Sequence, residues 1–473
     1  VIEQHARRTK IVKSFEGKAL SAPEAEKVAR EEVDVLRLVW SSKVKGALLD
    51  FLKALKKYRT PERPIPVMLD VAHWTQAVVT GLKEPRAVVF GEKIIVSQKA
   101  GQDTLQLTAE RWPTLFKAEH DSKTGPGAVK VFFGTGLVVM DVVKQDGDRV
   151  ELEVKQGGTI YSDSECHVPS TRRAADMADV SVDELQAVLA EGIDYVLVPG
   201  AWETTRIKDF RGKLAAKVGE DAAPWILGKV DSGAVYERLR DVLTEVDGVM
   251  ISRREMSQTV NPATVPMITK EIIQQCSDLA KIVVTASEML ASMRRNATPT
   301  RAEVSDVANA VLDGTDSVVL SEEAANGTYG TKAVEVMARI IRDIEDSTNV
   351  KPNWIMATPH VMNEMDAIAF QAYRTAERVK AKAIVCITKA GNTALKLASF
   401  RPPLPVIAVT FSEAVRRRLA IVRGTEALLL DVAPNLDEVL PMVNDQLVRS
   451  SWLKAGDPIV FVAITLSPVG RES

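Results

Sequence analysis

The chain has 473 residues, of which 46% are hydrophobic and 26% charged; this is two or three domains' worth, and the composition excludes a disordered or collagen-like chain. With 61 basic residues against 63 acidic the net charge is −2, so there is no nucleic-acid signature and no global pull toward an anionic membrane. The longest apolar runs fall far short of a membrane span, and Cys166, Cys276 and Cys386 are too scattered for a disulfide framework or zinc, so no membrane insertion and three reduced, buried thiols are expected.

Short β-branched runs, each followed by helical periodicity, recur eight times: Thr9–Val12, Asp34–Trp40, Pro66–Asp70, Tyr195–Val198, Trp225–Val230, Gly248–Ser252, Lys281–Ala286 and Ser317–Leu320. Apolar-throughout strands alternating with helices suit a parallel sheet covered by helices, and eight such units fit an α/β fold closed as a (β/α)8 barrel, with a doubly wound open sheet as runner-up. Between the third and fourth strands the periodicity changes to alternation. The runs Val88–Phe90, Lys93–Ser97, Thr104–Thr108, Ala128–Phe133, Leu137–Val143 and Arg149–Lys155 indicate a small inserted β-barrel lid domain.

Among the helices, Val182 to Leu189 turns Leu185, Val188 and Leu189 inward. Thr300 and Glu303 form a capping box, and Val304, Val307, Ala308, Val311 and Leu312 give one apolar stripe that stops at Gly314. After a helix over Arg339 to Ser347, the strands Ala383–Thr388, Pro405–Thr410, Ala427–Leu430 and Pro458–Ala463 predict a C-terminal α/β domain. The expected divisions are 1–73 and 169–345 for the barrel, 74–168 for the lid and 346–473 for the C-terminal domain.

Chemistry on such a barrel gathers beyond the carboxyl ends of its strands. Arg37 and Ser41 end strand two, Asp70 strand three, Lys229 and Asp231 strand five; Glu255 follows strand six and Ser287 strand seven. An Arg, a Lys within an apolar strand and three carboxylates suit an anionic substrate bridged by metal, and phosphoryl transfer is the natural class. Ordinary ion pairs closing the rim are an equal alternative.

The segment Pro299–Tyr329, PTRAEVSDVANAVLDGTDSVVLSEEAANGTY, resembles a signature stretch of pyruvate kinases, and further matches at Thr9–Val12, Leu36–Leu38, Asp247–Ser252, Glu288–Met293 and Ala383–Ala394 extend the resemblance over nearly the whole chain. It implies phosphoryl transfer from phosphoenolpyruvate to ADP with Mg²⁺ and K⁺. By this resemblance Arg37 is the phosphate-binding Arg, Lys229 the catalytic Lys, Asp231 and Glu255 the Mg²⁺ ligands, and Ser287 the hydroxyl linked to enolate protonation. Asp231 and Glu255 each differ from the family's carboxylate by one methylene.

Other positions depart further from the family. Of the K⁺ ligands Ser41 and Asp70 survive, but Val39 replaces an Asn and Ser42 a His, and hard cations need oxygen donors, so K⁺ is not expected. The stretch after Asp70 includes His73 and Trp74, read as a structural junction. The turn that presents backbone amides to the substrate carboxylate reads Ser252, Arg253, Arg254, Glu255, with Arg254 in place of Gly. The lid's Asp-Asp-Gly is Gly134, Thr135, Gly136. In the C-terminal domain Thr388, Gly391, Asn392 and Thr393 keep part of a sugar-phosphate effector loop, although Ala390 stands where Ser or Thr is usual. His167 reads as packing, Met250 and Met289 as core, and Arg416, Arg417 and Arg418 as a solvated basic face.

Losing several positioned charges predicts a catalytically impaired or inactive relative serving as a structural or regulatory subunit, with an active pyruvate kinase of weakened K⁺ dependence as the alternative. A homo-oligomer or a place in a larger assembly is expected, and Mg²⁺ is compatible with the surviving carboxylates. The chain begins at Val1 rather than Met, as in a processed product, so its localisation stays open between the cytoplasm, as the resemblance implies, and an organelle.

Overall fold

A computed structural model describes residues 7–15, 20–60, 63–72, 77–99, 101, 104–109, 129–134, 138–162, 164–168, 180–325, 327–347, 363–430, 436–450 and 452–463. Eight parallel strands close the first barrel: β1 (Lys10–Phe15), β2 (Val35–Val39), β3 (Val67–Asp70), β4 (Tyr195–Pro199), β5 (Trp225–Val230), β6 (Gly248–Ser252), β7 (Ile282–Ala286) and β8 (Ser317–Leu320). Their order runs β1-β8-β7-β6-β5-β4-β3-β2 and returns to β1. The doubly wound open sheet is thereby corrected. Every residue of these strands is buried, because one face fills the barrel interior and the other is covered by helices, and that is why they read as continuous apolar runs.

The helix Val182–Leu189 has the expected bounds and inward face, with the Ser181 hydroxyl accepting from the Glu184 N–H at 3.3 Å. The capping box of Arg301–Asp313 is present, and Gly314 ends that helix at φ 91°. Its apolar stripe agrees with the expectation at Val307 and Val311 but turns toward Ala310, leaving Ala308 and Leu312 half-buried. Val307, Ala310 and Val311 are buried, whereas Val304 is 36% exposed: the helix leans on its neighbours along its C-terminal half, and its first turn is left free to hold a loop.

Seven strands close a second barrel, in the order Arg149–Gln156, Lys93–Ser97, Thr104–Ala109, Ala77–Thr80, Glu165–His167, Lys130–Phe133 and Val138–Asp146. The strands Ala77–Thr80 and Glu165–His167, and the Gly158–Ile160 partner of Arg86–Val88, escape the sequence reading because three or four residues are too few to show a period. The expected strand Val88–Phe90 is corrected: the pairing stops at Val88, and Val89 and Phe90 lie exposed beyond it.

The C-terminal sheet, β9 (Ala383–Ile387), β10 (Val406–Thr410), β11 (Thr425–Leu429) and β12 (Ile459–Val462), is parallel in the order β11-β10-β9-β12. It docks beneath the barrel, at the starting ends of the strands. Arg401 donates to Asp316 at 2.6 and 3.1 Å, the Tyr195 hydroxyl to the Arg418 carbonyl at 2.8 Å, and Ser317 Oγ to the Ile421 carbonyl at 2.8 Å. The solvated reading of Arg416, Arg417 and Arg418 is therefore corrected. Arg416 and Arg418 are buried, Arg417 Nε donates to Asp194 at 2.7 Å, and Arg418 donates to the carbonyls of Ala223 and Asp221. Docking removes this helix face from water and gives Arg417 and Arg418 partners on the barrel, while Arg416 pairs with Glu413 of its own helix at 2.8 Å.

All three cysteines are free and buried, and burial pushes the Cys386 thiol up to about 12. His167 is buried in its lid strand, and Met250 and Met289 are core. His73, Trp74, Thr135 and Gly136 lie outside the described residues.

Candidate active site

The carboxyl ends of the barrel strands open into a cavity of about 700 Å³, roofed by lid residues that include Phe133, Gly158 and Tyr161. Arg37, Lys229, Glu255 and Ser287 all line it, so closure of the barrel gathers four of the sequence-predicted residues, two within strands and two just past the ends of two others.

Lys229 lies in β5, where burial on both sides leaves its side chain only 3% exposed and its Nζ 3.5 Å from Glu255 Oε1. Gly200, just past β4, makes this packing possible: a Cβ there would meet the Lys229 carbonyl oxygen at 2.3 Å, a separation no other residue type tolerates. Glu255 is also the acceptor for the Ser287 hydroxyl at 3.4 Å. Ser287 and Glu288 both adopt left-handed backbone, φ 77° and 58°, an arrangement that costs energy for side-chain-bearing residues and is characteristic of functional turns.

Arg37 is buried in β2, donating from Nη1 to Ser14 Oγ at 2.9 Å and from Nε to Asp70 Oδ2 at 2.9 Å. The other oxygen of Asp70 accepts from the Ala72 N–H at 2.8 Å. Asp70 thus stands behind Arg37 and orients it, and is absent from the cavity lining; Ser41 is exposed and likewise absent, as is Asp231, which is buried past the end of β5. Of the two expected Mg²⁺ ligands only Glu255 faces the cavity, and among the described residues no group of three or more His, Cys, Asp or Glu side chains could hold a metal. Mg²⁺ commonly takes one or two carboxylates and completes its shell with water and ligand phosphate oxygens, which this donor set permits.

The sequence reading missed six contributors. Arg253 donates to the carbonyls of Ala286 and Ser287 at 3.2 and 2.6 Å and to both oxygens of Asp306 at 2.6 and 2.7 Å, pinning the strained turn to the helix Arg301–Asp313. At the end of β8, Ser321, Glu322 and Glu323 line the cavity; the strand-end rule that selected Arg37 and Lys229 would also have selected them. Burial raises the Glu323 carboxyl to about 7, so near neutrality it can give or take a proton. Arg294 and Arg295 line the lid side, with the Arg295 guanidinium 3.7 Å over the Tyr161 ring, and only the tertiary structure brings them there.

The loop at Thr388, Gly391, Asn392 and Thr393 is in the C-terminal domain, and none of these residues lines the cavity. Thr388 is buried and its Oγ1 accepts from the Gly391 N–H at 2.9 Å. Gly391, at φ 99°, presses on Trp225, whose ring would lie 3.0 Å from an added Cβ.

Residues 6–334 match the family described as pyruvate kinase, barrel domain, and residues 366–470 match pyruvate kinase, alpha/beta domain. A pyruvate kinase of Sporosarcina psychrophila is 28% identical over 98% of this chain and 78% of its own length; one of Clostridium acetobutylicum is 32% identical over 70% of each chain. A solved pyruvate kinase from Cryptosporidium parvum superposes with a TM-score of 0.77, covering 96% of this chain and 94% of its own, at 24% identity.

Proposed function

Because the chain belongs to the pyruvate kinase family, we propose that its barrel-mouth cavity transfers a phosphoryl group from phosphoenolpyruvate to ADP. The observation that carries this reading is the convergence of Arg37, Lys229, Glu255 and Ser287 on one cavity. Phosphoryl transfer asks for little covalent chemistry from the protein and much positioning of charge. Arg37, oriented by Asp70, and Lys229, held against Glu255, supply the two buried cations for the phosphoryl oxygens. Ser287 holds a hydroxyl over the same space, where a three-carbon enolate would take its proton. Glu255, with Asp231 behind it, would hold Mg²⁺, which supplies charge neutralisation to the transferring group when bound.

Asp70 directs its carboxylate oxygens to Arg37 and the Ala72 N–H, and the Val39 side chain has no oxygen, which supports a weakened dependence on K⁺. The relatives are named pyruvate kinases, and this favours an active enzyme over the impaired or inactive subunit expected from the departures alone. Among the described residues no helix is long and apolar enough to cross a membrane. A homo-oligomer, or a place in a larger assembly, and effector binding at Thr388–Thr393 are carried as parts of the same proposal, on the resemblance.

The test is calorimetric binding of phosphoenolpyruvate with and without Mg²⁺, alongside pyruvate formation with ADP in K⁺ and in Na⁺. Saturable, Mg²⁺-dependent binding is expected, with turnover that changes only a few-fold between the salts and falls roughly 10³-fold or more in Lys229→Met. Absence of both binding and turnover in the unaltered protein would return the inert-scaffold reading.

A further inference from the structure

Arg254 opens onto the cavity from the short helical turn Arg253–Met256 that follows β6, its side chain only 13% exposed. Its Nη1 lies 3.0 Å from Glu322 Oε1 and its Nη2 3.8 Å from Glu255 Oε1. Glu322 in turn is 2.7 Å from Arg294 Nη1 through its other oxygen. One carboxylate in the cavity lining is therefore shared between two guanidinium groups. On its other side Arg254 shares Glu255 Oε1 with Lys229, so the two cations flank a single oxygen atom. Sharing that oxygen brings the two cations close enough for one short ligand to span them.

We propose that Arg254 is the residue that selects for the carboxylate of the substrate, and that Glu322 is a built-in placeholder which occupies Arg254 until that carboxylate displaces it. The ligand class is a short α-phosphorylated carboxylic acid; the inference rests on the reading that the phosphoryl group is held at Lys229. The exchange leaves no charge buried alone. When the ligand carboxylate takes Arg254, with the fork geometry that a guanidinium offers a carboxylate, Glu322 keeps Arg294. The Glu322 and Arg294 side chains are 31% and 25% exposed, so the displaced carboxylate keeps both its second guanidinium and contact with water. A pair serving only to tie the β6 and β8 ends together would lose stability when either member was changed and would not distinguish one anion from another.

The experiment measures binding of phosphoenolpyruvate and, separately, of inorganic phosphate to the full chain by calorimetry in Mg²⁺, for the unaltered protein, Arg254→Ala, Arg254→Lys and Glu322→Gln, with melting temperatures as a check on folding. Charge-assisted hydrogen bonds of this kind correspond to roughly ten- to hundred-fold in affinity. Arg254→Ala is expected to weaken phosphoenolpyruvate by about that factor, Arg254→Lys by less, and Glu322→Gln to tighten it several-fold, while inorganic phosphate moves little in each. If Arg254→Ala does not fold, Arg254→Lys and Glu322→Gln still give effects of opposite sign. Parallel shifts for the two anions, weakening by Glu322→Gln, or phosphoenolpyruvate binding indifferent to all three changes would overturn the placeholder while leaving the phosphoryl-transfer reading intact. Binding by Glu322→Gln but not by the unaltered protein would uphold the placeholder and defeat that reading for the natural chain; no phosphoenolpyruvate binding by any form would overturn both.

Discussion

At the scale of single residues, Glu323 shows how burial writes a pH dependence into the fold. Desolvation raises its carboxyl from an ordinary 4.5 to about 7, and its Oε1 has no hydrogen-bond partner among the described residues. A carboxyl raised on folding binds its proton more tightly in the folded chain than in the unfolded one. Its effect is therefore neutral below the unfolded value, destabilising progressively as pH rises from about 4.5 to about 7, and constant above. Glu323→Gln should stabilise the protein at pH 8 by on the order of 3 kcal/mol and flatten the profile between pH 5 and 7. Denaturant titrations of both proteins at pH 5, 6, 7 and 8 check this; superimposable profiles would show that the carboxyl is not desolvated. Arg37 and Lys229 were legible in the sequence because a charge inside an apolar strand has no packing reason to be there. Arg253 was less so, because its partner Asp306 lies 53 residues further on and no local pattern links the two.

At the scale of elements, the helix Arg301–Asp313 does two jobs. Its capping carboxylate, Glu303, accepts from the Thr300 N–H at 2.7 Å and also from the Ser292 N–H and hydroxyl, both at 2.6 Å, and its next turn presents Asp306 to Arg253. The first turn is free to hold these loops because Val304 is not buried, and the buried stripe accordingly begins only at Val307. The capping box was visible from four residues; the stripe was only partly so, with Val307 and Val311 buried as expected and Val304 exposed, since the exact packing face depends on neighbours that periodicity cannot name. Arg253→Leu should release the left-handed turn at Ser287 and Glu288 and lower kcat by roughly 10- to 100-fold, as expected when a reacting group is misplaced by about an ångström. Steady-state kinetics on the purified variant test this, and an unchanged kcat would mean that the turn holds its shape without the guanidinium.

At the scale of the whole molecule, the C-terminal domain is tied to the barrel through Asp316, which accepts from Arg401, from the Arg423 N–H at 3.1 Å and from the Val283 N–H at 2.9 Å. The Arg401 and Asp316 side chains are 2% and 3% exposed. Breaking such a pair leaves a charge buried without its partner, so Arg401→Ala should cost about 3–5 kcal/mol and split the calorimetric unfolding of the two domains. A single transition at the original temperature would show that the apolar contacts alone hold them together. The amino-acid sequence by itself determined the eight barrel strands, three of them to the residue, the inserted and C-terminal domains, and the positions of Arg37, Lys229, Glu255 and Ser287, because strand period, helix caps and charges at strand ends are local properties of the chain. Only the tertiary structure decided that Asp70 serves Arg37, that the arginine run from 416 to 418 is buried, and that Arg254, Glu322 and Arg294 meet at the barrel mouth, because ion pairing and burial depend on distances that exist only once the barrel has closed.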